Sequence, residues 1–206
     1  IFIARKFWFW FWMKLMDGFA PSDKTGNYQR PKGLSYNKNL KIDINENKNL
    51  YLLVGSTCPW CHRLIITYTL LNLSNKIKII FLKPSYKKGE WIFKENFDDC
   101  KNLKEVYIKC DQTKIFRATV PVLIEYKDLK IKLISNESGD ILKILNSSSI
   151  NSFSDKALIN DSDEKLLDLI NEDINNGVYK CGFARNQNAY IKASQKLFSA
   201  LTTIEK

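Results

Sequence analysis

A Cys58-Pro59-Trp60-Cys61 tetrad stands between a short apolar run, Tyr51-Leu52-Leu53-Val54-Gly55-Ser56, and an apolar helical pattern from His62 to Leu71. The order of strand, cysteine and helix restricts the chain more than any other stretch. With Cys58 as the N-cap, Pro59 takes the first helical position, where a missing N–H costs nothing. The N–H groups of Trp60 and Cys61 then face the Cys58 sulfur. They favour a thiolate over a thiol, so the Cys58 pKa is expected below the free value of roughly 8.5. A thiolate is the attacking form in sulfur exchange. Each pKa unit corresponds to about 1.4 kcal/mol, and a helix N-terminus supplies about 1–2 kcal/mol of that stabilisation.

The pattern on either side extends this unit. Leu50 to Ser56 reads as a strand and Pro59 to about Leu73 as a helix. Lys76-Ile77-Lys78-Ile79-Ile80-Phe81-Leu82 reads as a second strand, rich in β-branched residues. Lys83 to Asp99 reads as a loop with Trp91 and Phe93 embedded in it, and Asn102 to Lys109 carries apolar residues at helical spacing. Thr119 to Tyr126 and Leu129 to Ser135 form an expected hairpin, followed by a helix opening at Asn136-Glu137-Ser138-Gly139. The sequence β-α-β followed by β-β-α is the thioredoxin-like layout, which places the site but does not by itself give a function. Residues 147 to 162 are rich in Ser, Asn and Asp and read as a linker. Glu164 to Asn175 and Asn188 to Glu205 read as two amphipathic helices. The resulting boundaries are an N-terminal extension at 1–49, a thioredoxin-like domain at 50–147, a linker at 148–162 and a helical region at 163–206.

Bulk properties narrow the classes of function. A chain of 206 residues is long enough for a proper core. No apolar run reaches the roughly 18 residues that span a bilayer, so no membrane role is expected. Phe7 to Met16 is unusually aromatic but short and broken by Lys14; a core strand or helix is the favoured reading, an aromatic patch for a partner the other. The first residue is Ile, which points to a trimmed start at which no targeting peptide is judged. The net charge of +10 is spread as scattered lysines without a compact basic cluster carrying stacking aromatics, so nucleic acid is not an expected partner. A mild attraction for anionic ligands is. Five cysteines, two of them in the C-x-x-C, suit reduced thiols in a cytoplasm-like compartment, a plastid included, rather than a disulfide framework. No second C-x-x-C or H-x-x-x-H is present, and Cys100 and Cys110 lack ligand spacing, so no metal site is expected.

Two further groups complete a constellation. A proline opening a strand after a loop, as in Val120-Pro121, is expected to be cis in this layout, leaving the Val120 backbone available to an extended ligand. Glu137-Ser138 at a helix start is either a simple cap or a carboxylate site at the helix N-terminus, with Glu137 holding an ammonium. Those two charges on one ligand match the γ-glutamyl end of glutathione. His62 has no visible acid partner and is read as structural.

With these residues in view, the chain resembles the xi-class glutathione transferases, also called glutathionyl-hydroquinone reductases, which are related to the omega class. The matching stretches are Ala20 to Pro31, Cys58-Pro59-Trp60-Cys61-His62-Arg63, Thr119 to Leu123, Ser135-Asn136-Glu137-Ser138 and Asn175 to Ala184. The first and last are specific to that family. The resemblance implies an α/β fold, with an N-terminal thioredoxin-like domain followed by the start of an all-α glutathione-transferase C-terminal domain. It implies Cys58 as the catalytic thiolate and glutathione as co-substrate. Trp91, Lys104, Val120, Glu137 and Ser138 would hold glutathione, and Trp60 and Tyr179 would line the pocket for an aromatic or quinone substrate. Lys104 replaces the arginine usual in the family, keeping the charge but losing the bidentate fork. Cys61 stands where many members have alanine, which opens a role as resolving cysteine. Family members are homodimers and continue for several more helices than this chain, which implies a C-terminal truncation here.

The implied reaction removes glutathione from S-glutathionyl-hydroquinones through a Cys58–glutathione mixed disulfide, releasing hydroquinone and oxidised glutathione. Two other readings stand beside it: a glutaredoxin-like dithiol oxidoreductase using Cys58 and Cys61, and a non-catalytic glutathione-binding protein.

Overall fold

The structure is a computed structural model that describes residues 2–31, 49–110, 117–147 and 158–206. They fall into two compact units: one takes the described residues between 49 and 159, the other those up to 31 together with 160–206. The expected linker lies largely outside the described residues, as does the stretch 32–48 of the expected extension. Among the described residues, no helix is long and apolar enough to cross a membrane.

The first unit is built on a six-stranded sheet of β1 (Leu50–Gly55), β2 (Ile77–Ser85), β3 (Glu90–Phe97), β4 (Cys100–Asn102), β5 (Val122–Lys127) and β6 (Lys130–Ser135), in the order β4-β3-β2-β1-β5-β6. Strand β1 (Leu50–Gly55) leads into helix α2 (Pro59–Leu70), and β2 (Ile77–Ser85) returns parallel to β1, with Leu52 beside Ile79 and Leu53 beside Ile80. Strand β5 (Val122–Lys127) runs antiparallel on the other side of β1, with Leu52 opposite Leu123, and turns through Asp128 and Leu129 into β6 (Lys130–Ser135). Both turn residues have positive φ, the geometry of a two-residue hairpin loop. Helix α4 (Ser138–Leu145) packs on α2, and α3 (Leu103–Cys110) packs on β6. Leu50, Leu52, Leu53, Leu64, Ile77, Leu82, Leu123, Ile124, Ile141 and Leu145 are fully or almost fully buried and make the core. β1 is central, so it is buried on both faces and reads as a near-continuous apolar run. The thioredoxin-like arrangement of strands and helices expected from the sequence is present.

The stretch expected as a loop, Lys83 to Asp99, is instead the end of β2 and strand β3 (Glu90–Phe97), followed by β4 (Cys100–Asn102). Polar residues dominate because this is the outer part of the sheet. The period-two signal is lost where Trp91, Ile92 and Phe93 follow one another. Gly89, at φ +65°, closes the turn before β3, and Asp98 and Asp99, both at positive φ, close the one after it.

In the second unit, the N-terminal residues form helix α1 (Phe2–Phe19). The core reading of Phe7 to Met16 is corrected: Phe7 is 66% exposed and Trp12 still 47%. At about 100° per residue, six consecutive aromatics encircle the helix, so no single face collects them. After α1, Asp23 organises a turn, accepting from the Thr25 and Asn27 N–H groups at 2.9 and 3.0 Å and from both side chains. These bonds, led by those from the Asn27 and Thr25 side chains, hold the Asp23 carboxyl well below the usual range. The carbonyl of Gly26, at φ +84°, accepts from the Arg185 N–H, and a Cβ there would lie 2.3 Å from the Asn186 amide. Asn186 itself caps helix α7 (Gln187–Glu205), accepting from the Ala189 N–H at 2.9 Å.

The helix expected over Glu164 to Asn175 does not stop there. Helix α5 (Glu164–Leu169) passes through a π-helical turn at Ile170–Asn175 directly into α6 (Asn176–Gly182). Gly177 faces α7, with Leu197 3.4 Å from where a Cβ would sit, an ordinary contact distance. Asn176 is buried and accepts from the Arg30 guanidinium at 2.6 Å. The two family-like stretches at 20–31 and 175–184 thus meet in one unit.

Candidate active site

Cys58 occupies the N-cap of α2 with extended backbone (φ −94°, ψ 118°), and Pro59 opens the helix. The Cys58 carbonyl accepts from the Cys61 and His62 N–H groups, and the Cys58 N–H donates to the Gly55 carbonyl at 3.1 Å. The chain is therefore pinned on both sides of the sulfur. The Val120–Pro121 bond is cis, and as a thiol Cys58 donates to the Val120 carbonyl at 3.7 Å.

Electrostatics favour ionisation of Cys58. Its pKa falls from 9.0 to about 6, first because the Cys61 thiol donates a hydrogen bond to it. Partial burial opposes the shift, and the backbone N–H groups of Cys61 and Trp60 add to it. The drop exceeds the one pKa unit or so that a helix N-terminus supplies alone. Cys61 is fully buried and is held far above the ordinary thiol range, mainly by the bond it donates to Cys58 and then by burial. The Gly55 N–H, 3.2 Å from the Cys61 sulfur, works in the opposite direction. Replacing Cys61 with alanine removes the largest stabiliser of the thiolate, so the Cys58 pKa should rise by about 1 unit or more. Cys61→Ser keeps an O–H donor and should retain most of the depression. The pH dependence of alkylation in each variant checks this.

Gly55 joins the remaining parts. A Cβ on it would lie 2.5 Å from the Trp91 ring and 2.9 Å from the Val120 side chain. Trp91, carried by β3 rather than by a loop, therefore lies against the end of β1 beside Val120. Glu137 caps α4 with extended backbone, and its N–H donates to the Ser135 hydroxyl at 3.1 Å. Ser138, buried, accepts from the Arg63 guanidinium at 2.5 Å. Arg63 thus ties the start of α4 to α2 and puts a fixed cation beside the helix N-terminus. Tyr107, buried on α3, donates to the Thr119 carbonyl at 3.0 Å and accepts from the Asn136 amide at 3.1 Å. One phenol braces both the residue before Val120 and the residue before Glu137; burial pushes its pKa up to about 12, which keeps it a donor.

Of the residues singled out from the sequence, Cys58, Cys61, Trp60, Trp91 and Val120 come together at the junction of β1, α2 and the cis-proline loop. Glu137 and Ser138 lie at the start of α4, linked to α2 through Arg63. Lys104 is exposed on the first turn of α3, and among the described residues no contact links it to the cysteine pair. Tyr179 lies on α6 in the helical unit, its ring stacked on Phe183 with centroids 6.2 Å apart. The sequence reading gave no role to Arg63, Gly55 or Tyr107. Arg63 stands in the quoted motif beside the cysteines, and its position one helical turn beyond Pro59 was the available signal.

Residues 57–148 match the family model described as glutathione S-transferase, N-terminal domain. Glutathionyl-hydroquinone reductase YqjG of Escherichia coli K12 is 32% identical over 177 residues, covering 79% of this chain and 53% of that protein. The chain thus spans about half the length of that relative. The crystal structure of the glutathione S-transferase Xi from Phanerochaete chrysosporium superposes with a TM-score of 0.72 at 26% identity, over 86% of this chain and 65% of that one. The glutathione-bound structure of the E. coli YqjG gives 0.63 at 30% identity, over 79% and 56%. A thioredoxin-like sheet with a cysteine at its first helix, a cis-proline beside it and a helical second unit agree with these matches: residues 57–148 form a glutathione S-transferase N-terminal domain, and the chain is similar over most of its length to xi-class glutathione transferases.

Proposed function

We propose that this chain carries the reacting thiol of a glutathione-dependent reductase that removes glutathione from S-glutathionyl-hydroquinones. The observation that carries the reading is the acidified, partly accessible Cys58, with its pKa near 6, beside the Val120 carbonyl at the cis-proline. A thiolate there attacks sulfur, whereas a tyrosine or serine hydroxyl would only activate glutathione for conjugation. The likeness to a protein named glutathionyl-hydroquinone reductase, whose structure was solved with glutathione bound, points the same way.

The Cys58 thiolate attacks the sulfur of the glutathionyl-hydroquinone and forms a Cys58–glutathione disulfide. The sulfur–aryl bond breaks with its electron pair on the aryl carbon, which takes a proton and leaves as hydroquinone. A second glutathione, as thiolate, attacks the glutathione sulfur of the mixed disulfide, giving oxidised glutathione and Cys58 thiolate. Trp91 and the Val120 backbone would flank the tripeptide. Its γ-glutamyl carboxylate suits the Ser138 end of α4 beside Arg63, and its ammonium suits Glu137. Lys104 would supply a more distant charge, and Trp60 would meet the aromatic part. The chemistry needs a compartment rich in reduced glutathione.

Incubating the chain with glutathione and a purified glutathionyl-hydroquinone tests the proposal. Hydroquinone and oxidised glutathione should appear in equal amounts. Glutathione binding without any hydroquinone release would favour a non-catalytic binding protein instead.

A further inference from the structure

We propose that Cys61 is a resolving cysteine: it attacks the Cys58–glutathione disulfide from inside the protein, releases glutathione and closes a Cys58–Cys61 disulfide. The inference rests on the reading that Cys58 takes up glutathione, and it adds a second, dithiol activity to that site.

Three observations carry it. Cys61 lies one helical turn after Cys58, with its N–H bonded to the Cys58 carbonyl at 3.1 Å, so the two cysteines share the first turn of α2. The Cys61 sulfur is fully buried, so a small thiol-reactive ligand in solvent does not reach it and Cys58 is its available partner. The Gly55 N–H points at that sulfur from 3.2 Å and stabilises its ionised form. Gly55 is also where the Trp91 ring and Val120 close over the backbone, so this donor is held in place by the walls of the same site.

The resting pair keeps Cys61 protonated because its S–H serves the Cys58 thiolate, the largest cause of its raised pKa. When Cys58 is capped by glutathione its charge disappears, and the largest reason for Cys61 to keep its proton goes with it, leaving burial as the remaining opposition. The Gly55 N–H remains. Cys61 therefore becomes easier to ionise at the step where a nucleophile is needed. Atoms and electrons balance: Cys61 loses its proton, its sulfur bonds to the Cys58 sulfur, the Cys58–glutathione bond breaks, and the departing glutathione sulfur takes the proton. No outside oxidant enters. Two further glutathione molecules, or one dithiol, reduce the protein disulfide.

The test uses the full chain, reduced and then treated with a small excess of oxidised glutathione. The reaction is quenched in acid, and the products are mapped by proteolysis and mass spectrometry, which separates Cys58 and Cys61 from Cys100, Cys110 and Cys181. Intramolecular attack should outrun free glutathione, so the Cys58 adduct should be at least about tenfold less abundant in the wild type than in Cys61→Ser. The wild type should carry the Cys58–Cys61 disulfide instead. Equal adduct on Cys58 in both proteins, with no internal disulfide, overturns the resolving role and leaves the monothiol reading intact. No adduct on Cys58 in Cys61→Ser overturns both.

Discussion

Cys58→Ser should reduce the release of hydroquinone from a glutathionyl-hydroquinone by at least about 10³-fold, the scale seen when an enzyme loses its nucleophile. A serine fits the same N-cap and remains beside the Val120 carbonyl, so the fold should survive. What disappears is the ionisable sulfur. At neutral pH a group with a pKa near 6 is mostly anionic, whereas a serine hydroxyl is not ionised at all. The serine variant also cannot form a disulfide with glutathione, so the covalent intermediate is removed rather than slowed. Glutathione affinity should change little, because Trp91, Val120 and the start of α4 are untouched. A loss of turnover with retained glutathione binding, measured by calorimetric titration, separates chemistry from binding.

Gly55→Ala should damage binding and stability together. The added methyl would lie 2.5 Å from two ring atoms of Trp91 and 2.9 Å from the Val120 side chain. The indole can swing away, but Val120 is buried and is tied to the loop that Tyr107 braces. Overpacking of this kind costs about 1–3 kcal/mol. Both displaced residues are proposed walls of the glutathione seat, so affinity should fall as well. Urea denaturation and glutathione titration read the two effects. In a Trp91→Ala background one of the two clashes is gone, and the penalty of Gly55→Ala should shrink. An equal penalty in both backgrounds would show that Trp91 does not lie on Gly55.

The features that were legible in the sequence are local ones. The cysteine N-cap with proline after it, the cis-proline before β5 and the helix start at Glu137-Ser138 each depend on a few adjacent residues. Strand β3 was not legible, because three consecutive apolar residues interrupt its alternation and its partners lie on an outer part of the sheet. That omission also concealed how Trp91 reaches the site. The continuous path from α5 to α6 was hidden by Asn175-Asn176-Gly177, a run that reads as a breaker. Tertiary contact reverses that reading at Asn176, whose side chain is satisfied by Arg30. The link from Arg63 to Ser138 joins residues far apart in the chain, which no spacing rule anticipates. The acidity of Cys58 was expected from the helix terminus, yet its largest cause is the neighbouring thiol.

The central claim is that the Cys58 sulfur is ionised at neutral pH. The most direct measurement is the rate of Cys58 alkylation by iodoacetamide across pH 4 to 10, followed by peptide mapping. A thiolate held at a pKa of about 6 predicts a rate that rises through that pH and is level above about 7. A rate still rising at pH 8, with its midpoint near the ordinary thiol value of about 8.5, would contradict it.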